Sequence, residues 1–199
     1  MTIYQQITGS DVPGLDMLQK ESLNFCKGFN DIPARTENFH ILYELLAQSG
    51  MHWWLMFGTL LGAVREKDFI QWDADTDISV LSTDKPAFVN FLKKAIDKGF
   101  ELIRCQSNEE LVSIARNGEY IDFYFWEERK DYMEMCGLRI DKDHFKTLDT
   151  LDFIGHKCNV PHNYLHLLVR LYGDWQIPKR GFTASREINY AGGKTYYET

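Results

Sequence analysis

Several features that would place the chain in a specialised class are scarce or missing. There are four cysteines and five prolines in 199 residues, and the cysteines are scattered with no CxxC pair, which argues against a disulfide framework and favours reduced thiols. No apolar run approaches the roughly 20 residues that cross a bilayer. The first residues lack a basic segment followed by an apolar core, so we expect no secretory signal.

Positive charge is also scarce. Lys and Arg number 22 against 29 Asp and Glu, for a formal net charge of −7. A general nucleic-acid binder carries a basic patch or stripe, so we expect no nucleic-acid partner. The hydrophobic content of 44% and charged content of 26% are those of an ordinary soluble globular protein. Together with the reduced thiols, these features predict a cytoplasmic location.

The most informative stretch is WWLMFGTLLGAVREKDFIQWDADTDISV, from Trp53 to Val80. It predicts an apolar strand at 53–57, a sharp turn at Gly58 and Thr59 into a short helix, and a second strand led by Asp73, Asp75 and Asp77. Backbone N–H groups at such a turn can hold a phosphate. Gly58 would allow unusual backbone angles and close approach of a ligand, and the Thr59 hydroxyl would add a hydrogen bond. The order of apolar strand, glycine turn and acidic strand predicts a metal-dependent phosphoryl-transfer site.

Asp75 and Asp77 are the first predicted metal ligands. Residues two apart on an extended chain face the same side, and Mg²⁺ usually takes one or two carboxylates together with substrate phosphate and water. The spacing alone is weak, because Asp141 and Asp143 share it and we interpret those as a solvated turn. It is the succession of apolar strand, glycine turn and acidic strand that favours a site.

Asp122 is the third candidate, because it lies inside the apolar and aromatic run 120–126. A buried, unpaired carboxylate costs several kcal/mol, so it needs a partner or a metal. One interpretation places Asp122 in a cleft, on the face shared with Tyr120 and Tyr124. The alternative is an acid that faces solvent or pairs with Arg116.

The remaining pattern predicts helices and further strands. Apolar spacing favours helices at 11–29, 33–49, 86–98 and 162–172, the second with Asp31 as N-cap and the last with Leu165, Leu168 and Val169 inward. Strands are predicted at 76–81, 100–105, 111–115 and 120–126, with further strand and loop beyond Arg129. Lys179, Arg180 and Arg186 could meet a phosphate, although charges in a tail are usually solvated.

The run FGTLLGAVREKDFIQWDADTDISV resembles the LicD family of the nucleotidyltransferase-fold superfamily, which includes the fukutin-related proteins. Gly58 and Thr59 match the first part of the superfamily pattern, Asp75 and Asp77 the second, and Asp122 the acid on a later strand. A Tyr-Gly-Asp at 172–174 followed by a proline extends the resemblance over 53–178. The chain departs from the family at Ala74, within a usually longer acidic run, and at Thr76, where the family has an aliphatic residue.

The resemblance implies an α+β fold, with a mixed sheet flanked by helices. Together with the predicted N-terminal helices and the polar tail, it predicts an N-terminal helical segment packed on the core (1–50), a nucleotidyltransferase-like catalytic domain (51–178) and a C-terminal tail (179–199). It further implies Mg²⁺ or another divalent cation held by Asp75, Asp77 and Asp122, with Asp122 best suited to accept a proton. Gly58, Thr59 and Arg65 would bind the phosphate or nucleotide, although Arg65 could equally be a surface charge at a helix end.

The implied reaction moves a phosphorylated alcohol, such as phosphocholine, from a CDP-alcohol donor to a hydroxyl of a glycan or related acceptor, as in polysaccharide biosynthesis, and releases CMP. Trp72 and Trp126 could hold a quaternary ammonium group by cation–π attraction, although packing is the commoner role of Trp. Two alternatives remain open. One is a nucleotidyltransferase that adds NMP from an NTP to a small molecule and releases pyrophosphate. The other is a non-catalytic member that binds a nucleotide or a partner.

Overall fold

The computed structural model of the protein describes residues 1–9 and 31–179. Within those ranges lie five α-helices: α1 (Ile3–Thr8), α2 (Ile32–Ala47), α3 (Phe57–Arg65), α4 (Lys85–Asp97) and α5 (Tyr164–Tyr172). The same ranges hold nine strands: β1 (Trp53–Leu55), β2 (Asp75–Leu81), β3 (Glu101–Cys105), β4 (Leu111–Arg116), β5 (Glu119–Glu128), β6 (Tyr132–Met135), β7 (Leu138–Asp141), β8 (Leu148–Phe153) and β9 (His156–Pro161). The helix predicted at 11–29 and the tail from residue 180 lie outside the described residues.

The main sheet is mixed. Its strand order is β1-β2-β5-β4-β3, and β6 and β7 continue from β5, while β8 and β9 form a separate hairpin. The pair β2 and β5 is parallel, and the other pairs in the sheet are antiparallel. The chain therefore has the predicted α+β fold, with a mixed sheet flanked by helices. The parallel pair matters most for the site, because it places Asp77 opposite Asp122.

Strand β5 has two chemically different faces, as its alternation predicts. Phe123 and Phe125 lie on the apolar face, where each ring centroid is 4.9 Å from that of Phe88 in α4. Asp122 and Tyr124 lie on the other face and line a cavity. Burial of the aromatic face against α4 fixes the register of β5 and so determines which side Asp122 occupies.

Helix α2 packs on the same core. Asp31 accepts a hydrogen bond from the Ala34 N–H at 3.0 Å, which confirms the predicted N-cap. Phe39, Leu42 and Leu46 are fully buried with the sheet residues. Helix α2 thus shares the hydrophobic core of the sheet, and the proposed division at residue 50 stays a prediction.

Helix α5 differs from the prediction in the face it buries. Leu167, Leu168 and Leu171 are buried, whereas Leu165 and Val169 are 49% and 44% exposed. The helix begins at Tyr164, after Asn163 in the left-handed conformation, rather than at residue 162. The prediction that Leu168 points inward is confirmed. The other buried leucines of the helix are the adjacent Leu167 and, three residues further on, Leu171.

Among the described residues, no helix combines the length and apolarity needed to cross a membrane.

Candidate active site

Three aspartates form a cluster at the start of β2. Ligand oxygens of Asp73, Asp75 and Asp77 all lie within 4.8 Å of one another. The sequence predicted Asp75 and Asp77 as neighbours, and the structure brings them together. Asp73 was noted in the same run but not assigned to the site. The signal that could have found it is the alternation in WDADTD, since every second side chain of an extended segment faces the same way.

Gly58 brings helix α3 against this cluster. A Cβ at Gly58 would overlap Asp73 Oδ2 and lie 3.3 Å from Asp77 Oδ2. The backbone differs from the expected turn, because the positive φ of 47° belongs to Phe57 and not to Gly58. The missing side chain of Gly58 therefore allows Asp73 and Asp77 to lie close to the first turn of α3, and Gly58 is not needed there for an unusual backbone angle.

Thr59 joins α3 to β2 through two hydrogen bonds. The Asp77 N–H donates to Thr59 Oγ1 at 2.7 Å, and the Thr59 N–H donates to Asp77 Oδ2 at 3.3 Å. Both Thr59 and Asp77 are buried. The pair fixes the Asp77 side chain relative to the helix N-terminus, and direct phosphate binding by Thr59 stays a prediction.

Asp122 lies beside the cluster but has a different partner. Arg104 Nη2 donates to both carboxylate oxygens of Asp122 at 2.6 Å, and Ser113 Oγ donates to Oδ1. Arg116, the partner considered from the sequence, instead binds Glu37 at 2.8 Å. The Arg116 alternative is therefore wrong, because the β3–β4–β5 register brings Arg104 to Asp122.

Burial and mutual repulsion make the cluster electrostatically costly. Burial, followed by repulsion from Asp122 and Asp73, raises the pKa of Asp75 to about 7. Burial, followed by repulsion from Asp75 and Asp73, raises the pKa of Asp77 well above its usual value. Burial also raises the pKa of Asp73, which the charge of Arg35 partly opposes. A divalent cation would relieve this repulsion, and carboxylate oxygens are the ligands that Mg²⁺ prefers.

A cavity of about 680 Å³ opens over the cluster. Its lining includes the acidic residues Asp73, Asp77 and Asp122 and the basic residues Arg65, Arg104 and Lys179. Trp72 also lines it, whereas Trp126 is fully buried and donates from Nε1 to Ser79 Oγ at 2.8 Å. Trp126 is thus a packing residue, and the cavity combines acidic and basic groups as a metal-phosphate complex requires.

Arg65 is held at the end of α3. Its Nε donates to Glu66 Oε1 at 2.7 Å and its Nη1 donates to the Trp175 carbonyl at 3.0 Å. Among the described residues, none accepts a hydrogen bond from Arg65 Nη2 or from Arg104 Nη1. Each guanidinium is therefore anchored through two of its three nitrogens. Phosphate binding by Arg65 stays a prediction.

Residues 50–166 match the family described as LicD/FKTN/FKRP, nucleotidyltransferase domain. The chain belongs to the LicD family. It is 24% identical over 182 residues to the mouse (Mus musculus) ribitol 5-phosphate transferase FKRP, covering 80% of this chain and 35% of that protein. It is 27% identical over 174 residues to the human (Homo sapiens) protein of the same name, covering 79% and 29%. This LicD family member thus spans about a third of the length of these relatives.

A solved structure supports the fold alone. The antibiotic-resistance factor ANT(2'')-Ia is similar with a TM-score of 0.52 and 10% identity, over 76% of this chain and 78% of that one. At that identity, the similarity establishes a shared chain path and says nothing about a shared substrate.

Proposed function

We propose that this LicD family member is a metal-dependent transferase that moves a phosphorylated alcohol from a CDP-alcohol to a hydroxyl of a glycan or related acceptor. The observation that carries the proposal is the cluster of Asp73, Asp75 and Asp77, in which Asp73 and Asp77 lie against the first turn of α3 and line a cavity. The naming of the mouse and human relatives as ribitol 5-phosphate transferases supports the reaction class.

The cluster fits a divalent cation by its chemistry. Asp77 is buried, and its carboxylate accepts a hydrogen bond from the Thr59 N–H but none from a lysine or arginine among the described residues. Asp73, Asp75 and Asp77 would hold the ion. Once bound, Mg²⁺ would offset charge on the donor phosphates and on the leaving CMP oxygen. A metal role for Asp122 stays a prediction, because its carboxylate is bound by Arg104.

The remaining groups have complementary roles. Arg65 and Arg104 would hold donor phosphate oxygens from two sides of the cavity. The acceptor oxygen would attack the phosphorus of the phosphorylated alcohol as the bond to CMP breaks, and Asp122 would accept the proton that the acceptor hydroxyl loses. The ion pair with Arg104 offsets the charge of Asp122 and so lowers its repulsion of an anionic donor.

The products of a donor panel test the proposal. CDP-choline, CDP-ribitol, CDP-glycerol and nucleoside triphosphates would each be incubated with the protein and Mg²⁺, with and without a glycan acceptor, and followed by phosphorus NMR. We expect CMP from one CDP-alcohol and no pyrophosphate, and loss of turnover in Asp77→Asn. Pyrophosphate from a triphosphate would establish the nucleotidyltransferase alternative. Donor binding without turnover would establish the non-catalytic one.

A further inference from the structure

Arg35 on α2 connects the two strands that carry the acidic side chains. Its Nε and Nη2 donate to Glu119 Oε2 at 2.8 and 2.5 Å, and Glu119 is the first residue of β5. Its Nη1 donates to the carbonyls of Asp73 at 2.9 Å and Asp75 at 3.3 Å. Both Arg35 and Glu119 are only 1% exposed. One buried guanidinium therefore joins α2, the start of β5 and the acidic run that leads into β2.

The two carbonyl contacts determine the path of the acidic run. Asp73 precedes β2 and so lies outside the strand ladder that orders Asp75 and Asp77. In an extended chain, residues two apart direct their carbonyls to one side and share a side-chain face. By bonding the carbonyls of Asp73 and Asp75 with one nitrogen, Arg35 favours the extended path that brings all three carboxylates together.

We propose that Arg35, with Glu119, is the positioning residue of the acidic cluster, although it lies outside the range 50–166 that matches the family. Arg35 donates no hydrogen bond to a carboxylate of the cluster and acts instead through the backbone carbonyls of Asp73 and Asp75. Helix α2 is then part of the machinery that builds the site. The inference rests on the proposed function only where metal affinity is the measured quantity.

A double variant separates positioning from general stability. Arg35→Met alone would leave Glu119 buried and unpaired, a change that strongly destabilises proteins. Arg35→Met with Glu119→Gln removes both charges and keeps similar volumes, and Gln can still accept the Asp31 N–H that Glu119 Oε1 accepts at 2.8 Å. Replacement of a whole buried ion pair is often nearly neutral in stability. What the double variant loses is the donor to the carbonyls of Asp73 and Asp75.

The chain offers a matched control on the same helix. Glu37 on α2 binds Arg116 at the end of β4 at 2.8 Å, and the Glu37 side chain is 58% exposed. Glu37→Gln removes a second ion pair between α2 and the sheet without touching the acidic run. Exposed pairs contribute little to stability, so this variant reports loss of a helix–sheet ion pair alone.

The test measures Mn²⁺ binding by the EPR signal of the free ion, with the full-length chain and its fold checked by circular dichroism. We expect the double variant to bind Mn²⁺ about 10- to 100-fold more weakly than wild type, the usual effect of losing a group that orients metal ligands. Arg35→Lys should lie between, because an ammonium cannot reproduce the guanidinium fork. Glu37→Gln should stay within about twofold of wild type. Wild-type affinity in the folded double variant would overturn the inference.

Two further outcomes are decided in advance. If the double variant does not fold, Arg35→Lys decides: weaker Mn²⁺ binding supports the positioning role, and unchanged binding overturns it. If wild type binds no Mn²⁺, the proposed metal function fails, and hydrogen exchange of residues 73–77 decides on Arg35 instead. Faster exchange of the 73–77 amides in Arg35→Lys than in Glu37→Gln supports the inference, and equal exchange overturns it.

Discussion

Arg104 Nη2 lies 2.6 Å from each carboxylate oxygen of Asp122, and Asp122 is the register partner of Asp77 across the parallel pairing of β2 and β5. One of the four acids in this region is thus neutralised by a cation from β3, while the acids on β2 are left to repel one another. The pair is well buried, with side-chain exposures of 13% for Arg104 and 4% for Asp122. Because of this difference, we expect removal of the charge to have opposite effects on stability at Asp122 and at Asp77.

We expect Asp122→Asn to lower stability in chelator. The loss of the ion pair with Arg104 should cost about 1.5–3 kcal/mol, the usual range for a hydrogen bond to a charged group, and should exceed the relief of repulsion with Asp75. Thermal melts in EDTA measure the change. Arg104→Met and the double variant complete a cycle, which should give a coupling energy of the same size. A higher melting temperature for Asp122→Asn in EDTA would show that repulsion dominates.

Asp77→Asn should behave in the opposite way. Removing a buried charge next to Asp73 and Asp75 should leave the metal-free protein as stable as wild type or more so, since Asn can still accept the Thr59 N–H. Turnover and Mg²⁺ affinity should fall by more than about 100-fold, because loss of a ligand exceeds loss of a group that only orients one. Isothermal titration and the CMP assay measure both. Full activity at saturating Mg²⁺ would remove Asp77 from the site.

Gly58→Ala tests whether the close packing of Asp73 against α3 requires glycine at this position. Gly to Ala in a helix usually stabilises by about 0.5–1 kcal/mol, but the added methyl would overlap Asp73 Oδ2, and overpacking costs about 1–3 kcal/mol. We therefore expect net destabilisation and weaker metal binding. The control is the same change in an Asp73→Ala background, where the overlap is gone and Gly58→Ala should become neutral or stabilising. Denaturant melts of the four proteins measure this change of sign.

The parts of the site predicted from the sequence depend on local patterns. Asp75 and Asp77 could be assigned because a two-residue spacing specifies one face of a strand wherever that strand lies. The mixed sheet followed from the family resemblance. The face of β5 that carries Asp122 followed from alternation in the same way.

Arg104 could not be predicted because its contact depends on two successive strand registers. Arg104 pairs with Ser113 across β3 and β4, and Ser113 pairs with Asp122 across β4 and β5. An irregularity between Leu102 and Arg104 shifts the first register, and no local pattern announces it. Arg35 poses the same difficulty, since its partner Glu119 lies 84 residues away. Contacts between distant residues thus decided what the local patterns left open.

The last prediction concerns pH, and its sign follows from the raised pKa of Asp75. Burial, with repulsion from Asp122 and Asp73, raises that pKa from 3.8 to about 7. Between those values the folded state holds a proton that the unfolded state has released. The stabilisation that comes from protonated Asp75 is fully present below about pH 4 and is lost as pH rises through about 7. Over that interval the free energy of unfolding falls by up to about 1.4 kcal/mol per pH unit for each such group.

Melts in EDTA from pH 4 to 8 should therefore show wild type losing stability relative to Asp75→Asn as pH rises. Asp97→Asn is the matched control, since Asp97 is an exposed carboxylate on α4 and its removal should leave the pH profile of wild type unchanged. Mg²⁺ should reverse the loss at pH 8, where the carboxylates are ionised and free to bind it, and have little effect at pH 4, where protons compete. Parallel profiles for wild type and Asp75→Asn in EDTA would show that Asp75 is ionised throughout and that the cluster is better solvated than its burial implies.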